Sequence, residues 1–252
     1  MTQESRDHGG NLDAAMRRHG GDAAQWIDLS TGINPVPYPV PELGARAFTA
    51  LPTQCDMHTL RAVAATCYAT GAHVTPLAGA QAAIQAVPHL AGPGIARVLV
   101  PTYNEHAAAL RASDWTVEEV GTPEALSGAD CAVVVNPNNP DGRTFPPEQV
   151  RALSGGGRLV VVDEAFCDLH PGLSCVPFAD EAGIVVLRSF GKFFGLAGVR
   201  AGAVYAEPAI TDALAARLGP WSLSSPARYI MARSLKDTLW QQSTLERLRS
   251  DS

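Results

Sequence analysis

Lysine is scarce in this chain: Lys192 and Lys236 stand against seventeen arginines, so nearly all the positive charge sits on groups that never lose it. Basic runs are missing as well. Arg17 and Arg18 adjoin, but two charges make no patch, and a formal charge of -6 with a pI near 5.6 argues against a general nucleic-acid or membrane-surface role. The five cysteines, Cys55, Cys67, Cys131, Cys167 and Cys175, are odd in number and form no CxxC pair. That excludes a disulfide framework, suggests no zinc or other metal site, and points to a reducing cytoplasm. No apolar run reaches the length of a membrane span, and the opening "MTQESRDHGG" has no apolar stretch, so neither a transmembrane helix nor a signal peptide is read. What the 252 residues do contain is 46% hydrophobic side chains, enough for a large core in a soluble globular protein.

Short apolar runs alternate with longer Ala/Leu-rich segments. Strands are expected at 97–101, 116–120, 131–136, 158–163, 183–188 and 200–205, with helices at 80–90, 104–113, 146–154 and 174–182. "AVVV" and "LVVV" are apolar at every position, the pattern of strands covered on both faces in a largely parallel sheet. The fold class is therefore α/β with helices on both sides. The Gly/Pro-rich residues 1–40, ending in "NPVPYPVP", read as an extended arm that packs against something else; 41–220 form the main domain, and 221–252 a helical segment. In that last segment Leu235, Leu239, Trp240, Leu245 and Leu248 recur at roughly helical spacing, suited to packing on the sheet, on a further lobe or on a second subunit.

In an open parallel sheet, ligands bind beyond the carboxyl ends of the strands. Three such ends carry chemistry here: "CAVVV" is followed by "NPNNPDG", "RLVVV" by "DEAF" and "GIVVLR" by "SFGK". Singly, these are a turn, a helix cap and a lysine whose tip reaches water. Together they suit pyridoxal 5'-phosphate. A lysine can shed its proton when desolvated and attack a carbonyl, as arginine cannot, so Lys192 is the residue to condense with the cofactor aldehyde. Asp163 would keep the ring nitrogen protonated and Asn139 would bond the ring hydroxyl. Ser189, Arg200 and the Gly79-Ala80-Gln81 turn ahead of a helix supply phosphate donors.

These segments resemble the fold-type I pyridoxal-phosphate enzymes of aminotransferase class I/II, whose lysine motif is matched by "SFGKFFGLAGVRAG". "HGGNLDAAMRRHG", "WIDLSTGINPVPYPVP", "PTYNEHAAALR" and "VVDEAF" narrow the resemblance to the threonine-phosphate decarboxylase family of cobalamin biosynthesis, relatives of histidinol-phosphate aminotransferase, along His8 to Leu245. The resemblance implies a three-layer large domain with a mostly parallel sheet, a homodimer, and a small phosphorylated amino acid as substrate, with no nucleic-acid or membrane partner. It further implies that Tyr103 stacks on the cofactor ring, that His106 supports Asp163, and that His8, Gly9 and Asn34 reach the substrate. Without it, Tyr103 is a turn residue, His106 a helix-surface histidine, "HGG" a flexible terminus and Asn34 a turn former.

Departures from the pattern are specific. Phe166 follows "DEA" where aminotransferases often have tyrosine and where the decarboxylase relatives also have phenylalanine, and Leu51 stands where relatives place a tyrosine that reaches the neighbouring subunit's phosphate. Family members continue into a C-terminal lobe whose arginines bind substrate; this sequence ends at Ser252, ahead of that lobe, and Arg228 and Arg233 match none of those arginines. Three readings stay open: decarboxylation, transamination of a phosphorylated amino acid or amine, and a cofactor-binding fragment without turnover.

Overall fold

The computed structural model describes residues 8–251, so the first seven residues of the expected arm lie outside the described residues. In chain order the helices and strands are α1 (Leu12–His19), α2 (Arg46–Thr49), α3 (Gln54–Cys67), β1 (His73–Leu77), α4 (Ala80–Ala86), β2 (Ile95–Leu99), α5 (Glu105–Arg111), β3 (Thr116–Val120), β4 (Cys131–Val135) and α6 (Pro147–Arg151). There follow β5 (Leu159–Asp163), β6 (Ile184–Ser189), β7 (Gly202–Ala206), α7 (Pro208–Leu218), α8 (Ser225–Lys236) and α9 (Thr238–Asp251). One seven-stranded sheet has the order β1-β7-β6-β5-β4-β2-β3. All neighbours are parallel except those of β7, which runs against both β1 and β6. The loop from β6 to β7 is short enough to join antiparallel strands, whereas each parallel step needs a crossover.

Side chains alternate across the sheet and bury on both faces. Ala132, Val134, Val160, Val162, Ile184 and Val186 face one core with α3 and α8; Cys131, Val133, Leu159, Val161, Val185 and Leu187 face the other with α4, α5 and α7. This two-sided burial is why the strands read as unbroken apolar runs, and it makes the fold the expected α/β three-layer arrangement. Leu235 is buried in the first core, with Trp240, Leu245 and Leu248 packed against it, while Leu239 is exposed. No described helix is long and apolar enough to cross a membrane.

Two expectations are corrected and one strand is added. Residues 174–182 form no α-helix but a single 3-10 turn, Val176–Phe178, because the Glu164 carboxylate accepts from the Ser174 hydroxyl at 2.6 Å and the Cys175 N–H at 2.5 Å and so pins the segment as a loop. The arm is not wholly extended, since Asn11 caps α1 by accepting from the Ala14 N–H. β1 had no sequence signal: Pro76 lies within it, and a proline in a strand is tolerated because β1 is an edge.

The same alternation puts Arg188 of β6 on the first face beside Glu164, the residue after β5. Arg188 bonds Glu164 at 3.0 Å and Asp168 at 2.6 Å and lies 4.3 Å above the Tyr68 ring; Arg188 and Glu164 are buried and the Asp168 side chain is 9% exposed. Burial pushes both carboxyls up and Arg188 opposes it; burial likewise disfavours the guanidinium charge, yet Asp168, Tyr68 and Glu164 hold its pKa well above the usual arginine value. Replacing Arg188 with methionine strands two buried carboxylates. We expect a loss of about 3–5 kcal/mol in urea-unfolding stability, and a loss under about 1 kcal/mol would show the cluster to be dispensable.

Candidate active site

Because β4, β5 and β6 are parallel neighbours, their carboxyl ends open at one edge of the sheet, and the three motifs that follow them meet there. Eight of the nine expected cofactor residues line one cavity of about 160 Å³: Ala80, Gln81, Tyr103, Asn139, Asp163, Ser189, Lys192 and Arg200. The ninth, Gly79, is not in that lining but abuts Arg200, which is. With φ +81° Gly79 has a backbone that disfavours other residues, and a Cβ there would lie 2.8 Å from an Arg200 guanidinium nitrogen. Absence of a side chain thus lets Arg200 close over the start of α4, where backbone N–H groups face the same space.

Asp163 ends β5, and its side chain is buried on the α5 face. One carboxylate oxygen accepts from His106 Nε2 at 2.8 Å and the other from the Ala165 N–H at 3.0 Å. The expected support of Asp163 by His106 is therefore present as geometry. Lys192 sits in the β6–β7 loop with Nζ 5.3 Å from the centroid of the Phe166 ring. Burial lowers its pKa below the usual lysine value, Asp163 opposes that and Arg200 adds to it, so the neutral amine is more accessible than in water. The backbone of this loop is held in place: the Lys192 carbonyl accepts from the Asn34 N–H at 3.1 Å and the Gly195 N–H at 3.0 Å. Ser189 Oγ accepts from the Gly191 N–H at 3.3 Å.

Lys192, Tyr103, Asn139 and Phe166 also line a second, outer cavity of about 560 Å³, so the two adjoin along these residues. The arm walls it with His8 and Gly9. A Cβ on Gly9 would stand 1.9 Å from the Ser30 carbonyl oxygen, and the Gly10 N–H donates to Ser30 Oγ at 2.7 Å, so the "GG" pair is what lets the arm lie on this loop. Asn34 lies apart from both cavities' walls, beside a third of about 200 Å³ that also touches Lys192. Its amide donates to the Phe193 carbonyl at 2.9 Å and accepts from Arg247 at 2.7 Å, contacts that brace the lysine loop. Arg228 pairs with Asp56 at 3.3 Å on α3, away from the site.

Two polar groups of the site escaped the sequence reading. Glu105 is buried at the start of α5 and was hidden as an ordinary first-turn acid; its signal is the adjacency to His106, since neighbouring positions on a short helix can both face inward. The side chain of Gln81 matters beyond its backbone, because its carbonyl accepts from the Tyr103 hydroxyl at 3.5 Å.

The donor set fits pyridoxal 5'-phosphate: a desolvated amine, a buried carboxylate braced by histidine, an aromatic wall at Tyr103, and a hydroxyl, a guanidinium and helix-start N–H groups gathered where a phosphate would lie.

Comparison with known proteins agrees with this chemistry. The model of the aminotransferase class I and II family matches residues 53–251. The chain is 44% identical to threonine-phosphate decarboxylase of Pseudomonas aeruginosa over 98% of its own length and 76% of that protein. It is 43% identical to threonine-phosphate decarboxylase of a Sinorhizobium species over 87% of this chain and 68% of that one. The solved structure of aspartate aminotransferase from Thermus thermophilus with maleate superposes with a TM-score of 0.78 at 22% identity, covering 95% of this chain and 72% of the other, a likeness of fold.

Proposed function

From a chain that belongs to the aminotransferase class I and II family, we propose an enzyme that decarboxylates L-threonine O-3-phosphate to (R)-1-aminopropan-2-yl phosphate and carbon dioxide in cobalamin biosynthesis. Its cofactor is pyridoxal 5'-phosphate. When bound, the cofactor supplies an electron sink for the pair released as a bond at the substrate α-carbon breaks. The protein's own residues do the rest. Lys192 Nζ anchors the cofactor and, once free, delivers the proton that replaces the carboxylate on the α-carbon. Asp163, oriented by His106, would pair with the ring nitrogen, Tyr103 would pack on the ring and Asn139 would bond its hydroxyl. Ser189, Arg200 and the Gly79-Ala80-Gln81 turn hold the cofactor phosphate. His8 and Gly9 line the outer cavity on the substrate side, with Asn34 bracing the lysine loop beside it.

The observation that carries this reading is the shared wall: one amine, Lys192, lines both the inner cavity, with Asp163, Ser189 and Arg200, and the outer one that His8 and Gly9 of the arm help to wall. In the same reading residues 1–40 are the substrate-side arm, 41–220 hold the cofactor and 221–252 back the lysine loop. The reading includes a cytoplasmic homodimer with no nucleic-acid or membrane partner; exposed Ile27, Leu29, Phe48 and Leu51 support a subunit contact. The test is direct. The holoenzyme given carboxyl-labelled L-threonine O-3-phosphate is expected to release labelled carbon dioxide without a keto-acid acceptor. Amino transfer to 2-oxoglutarate with no such release would replace decarboxylation by transamination.

A further inference from the structure

Glu105 places a buried carboxylate, 6% exposed, beside cavities whose proposed ligands are anions. Such a group is costly unless it is paired. Its Oε1 accepts from His8 Nε2 at 3.0 Å, and its Oε2 accepts from Gln81 Nε2 at 2.6 Å. The two partners belong to different halves of the site. His8 lines the outer cavity on the arm, and Gln81 lines the inner one at the start of α4.

We propose that Glu105 is a positioning residue that seats the N-terminal arm: one carboxylate fastens His8 over the outer cavity and ties it to the turn that opens α4. This rests on the decarboxylase reading for what His8 then meets. Gln81, bonded to Glu105 through its amide nitrogen and to Tyr103 through its carbonyl, keeps Tyr103 and the arm in a common frame. Three consecutive functions thus sit on one short stretch: Tyr103 at the ring, Glu105 at the arm and His106 at Asp163.

Two measurements test this on the holoenzyme. Hydrogen exchange of the 8–20 peptide, followed by mass spectrometry without substrate, is expected to quicken about tenfold in Glu105→Ala, with Glu105→Gln intermediate because one acceptor oxygen remains. In steady state, Glu105→Ala is expected to raise KM for L-threonine O-3-phosphate about tenfold while kcat changes less than about threefold. The His8→Ala/Glu105→Ala double variant should then be no worse than His8→Ala alone, since Glu105 acts through His8. Unchanged exchange in the arm, or KM effects that multiply in the double variant, would overturn the proposal. If wild-type protein leaves the substrate untouched but the arm loosens in Glu105→Ala, the decarboxylase reading fails and the seating role stands.

Discussion

Lys192→Ala is expected to lose all borohydride-fixable cofactor and to lower turnover by about 10³-fold, because the amine is both the covalent anchor and the proton donor of the proposed reaction. The composition makes the assay clean. Only Lys192 and Lys236 carry side-chain amines, so a reduced adduct mapped by mass spectrometry has two lysines to choose between, and Lys236 lies on α8. Lys192→Arg should fail equally, since it keeps the charge and cannot give a neutral nucleophile. Lys236→Ala should label and turn over like wild type. A small exogenous amine should restore part of the Lys192→Ala rate by replacing the proton donor. Turnover within threefold of wild type in Lys192→Ala would remove the amine from the chemistry and with it the proposed function.

Asp163→Asn is expected to cost about 10²- to 10³-fold in kcat with a smaller change in KM, the signature of a group whose charge counts most in the transition state. The substitution keeps size and shape. It removes the negative charge proposed to meet the ring nitrogen and turns one acceptor oxygen into a donor opposite His106, 2.8 Å away. The absorbance of the bound cofactor should shift and its affinity weaken, while far-UV circular dichroism stays that of the wild type. A variant with kcat within threefold and an unchanged spectrum would show that Asp163 does not serve the ring nitrogen.

Both expectations come from residues that stand at strand ends, which is why they could be read before any coordinates. A two-sided strand is an apolar run in any register, so the places where "CAVVV", "RLVVV" and "GIVVLR" stop are visible as composition, and Asn139, Asp163 and Lys192 lie within four residues of those ends. The order of these strands in the sheet is another matter. β4, β5 and β6 happen to be neighbours in sequence and in space, so Asn139, Asp163 and Lys192 converge as expected. β1 was missed because Pro76 masks an edge strand, and Gly79 and Gln81 reach the site only because β1 pairs with β7 and delivers α4 beside Arg200.

From the chain alone came the α/β class, a lysine that can act as a nucleophile and an aspartate at the end of a buried strand, since these follow from residue type and local period. Folding alone settled what depends on contacts between distant segments: Gly79 yielding space to Arg200, Asn34 bracing the lysine loop, and Glu105 fastening His8 from 97 positions away. A hydrogen bond between side chains that far apart leaves no periodic trace, because only the packed sheet and its layers bring its two ends together.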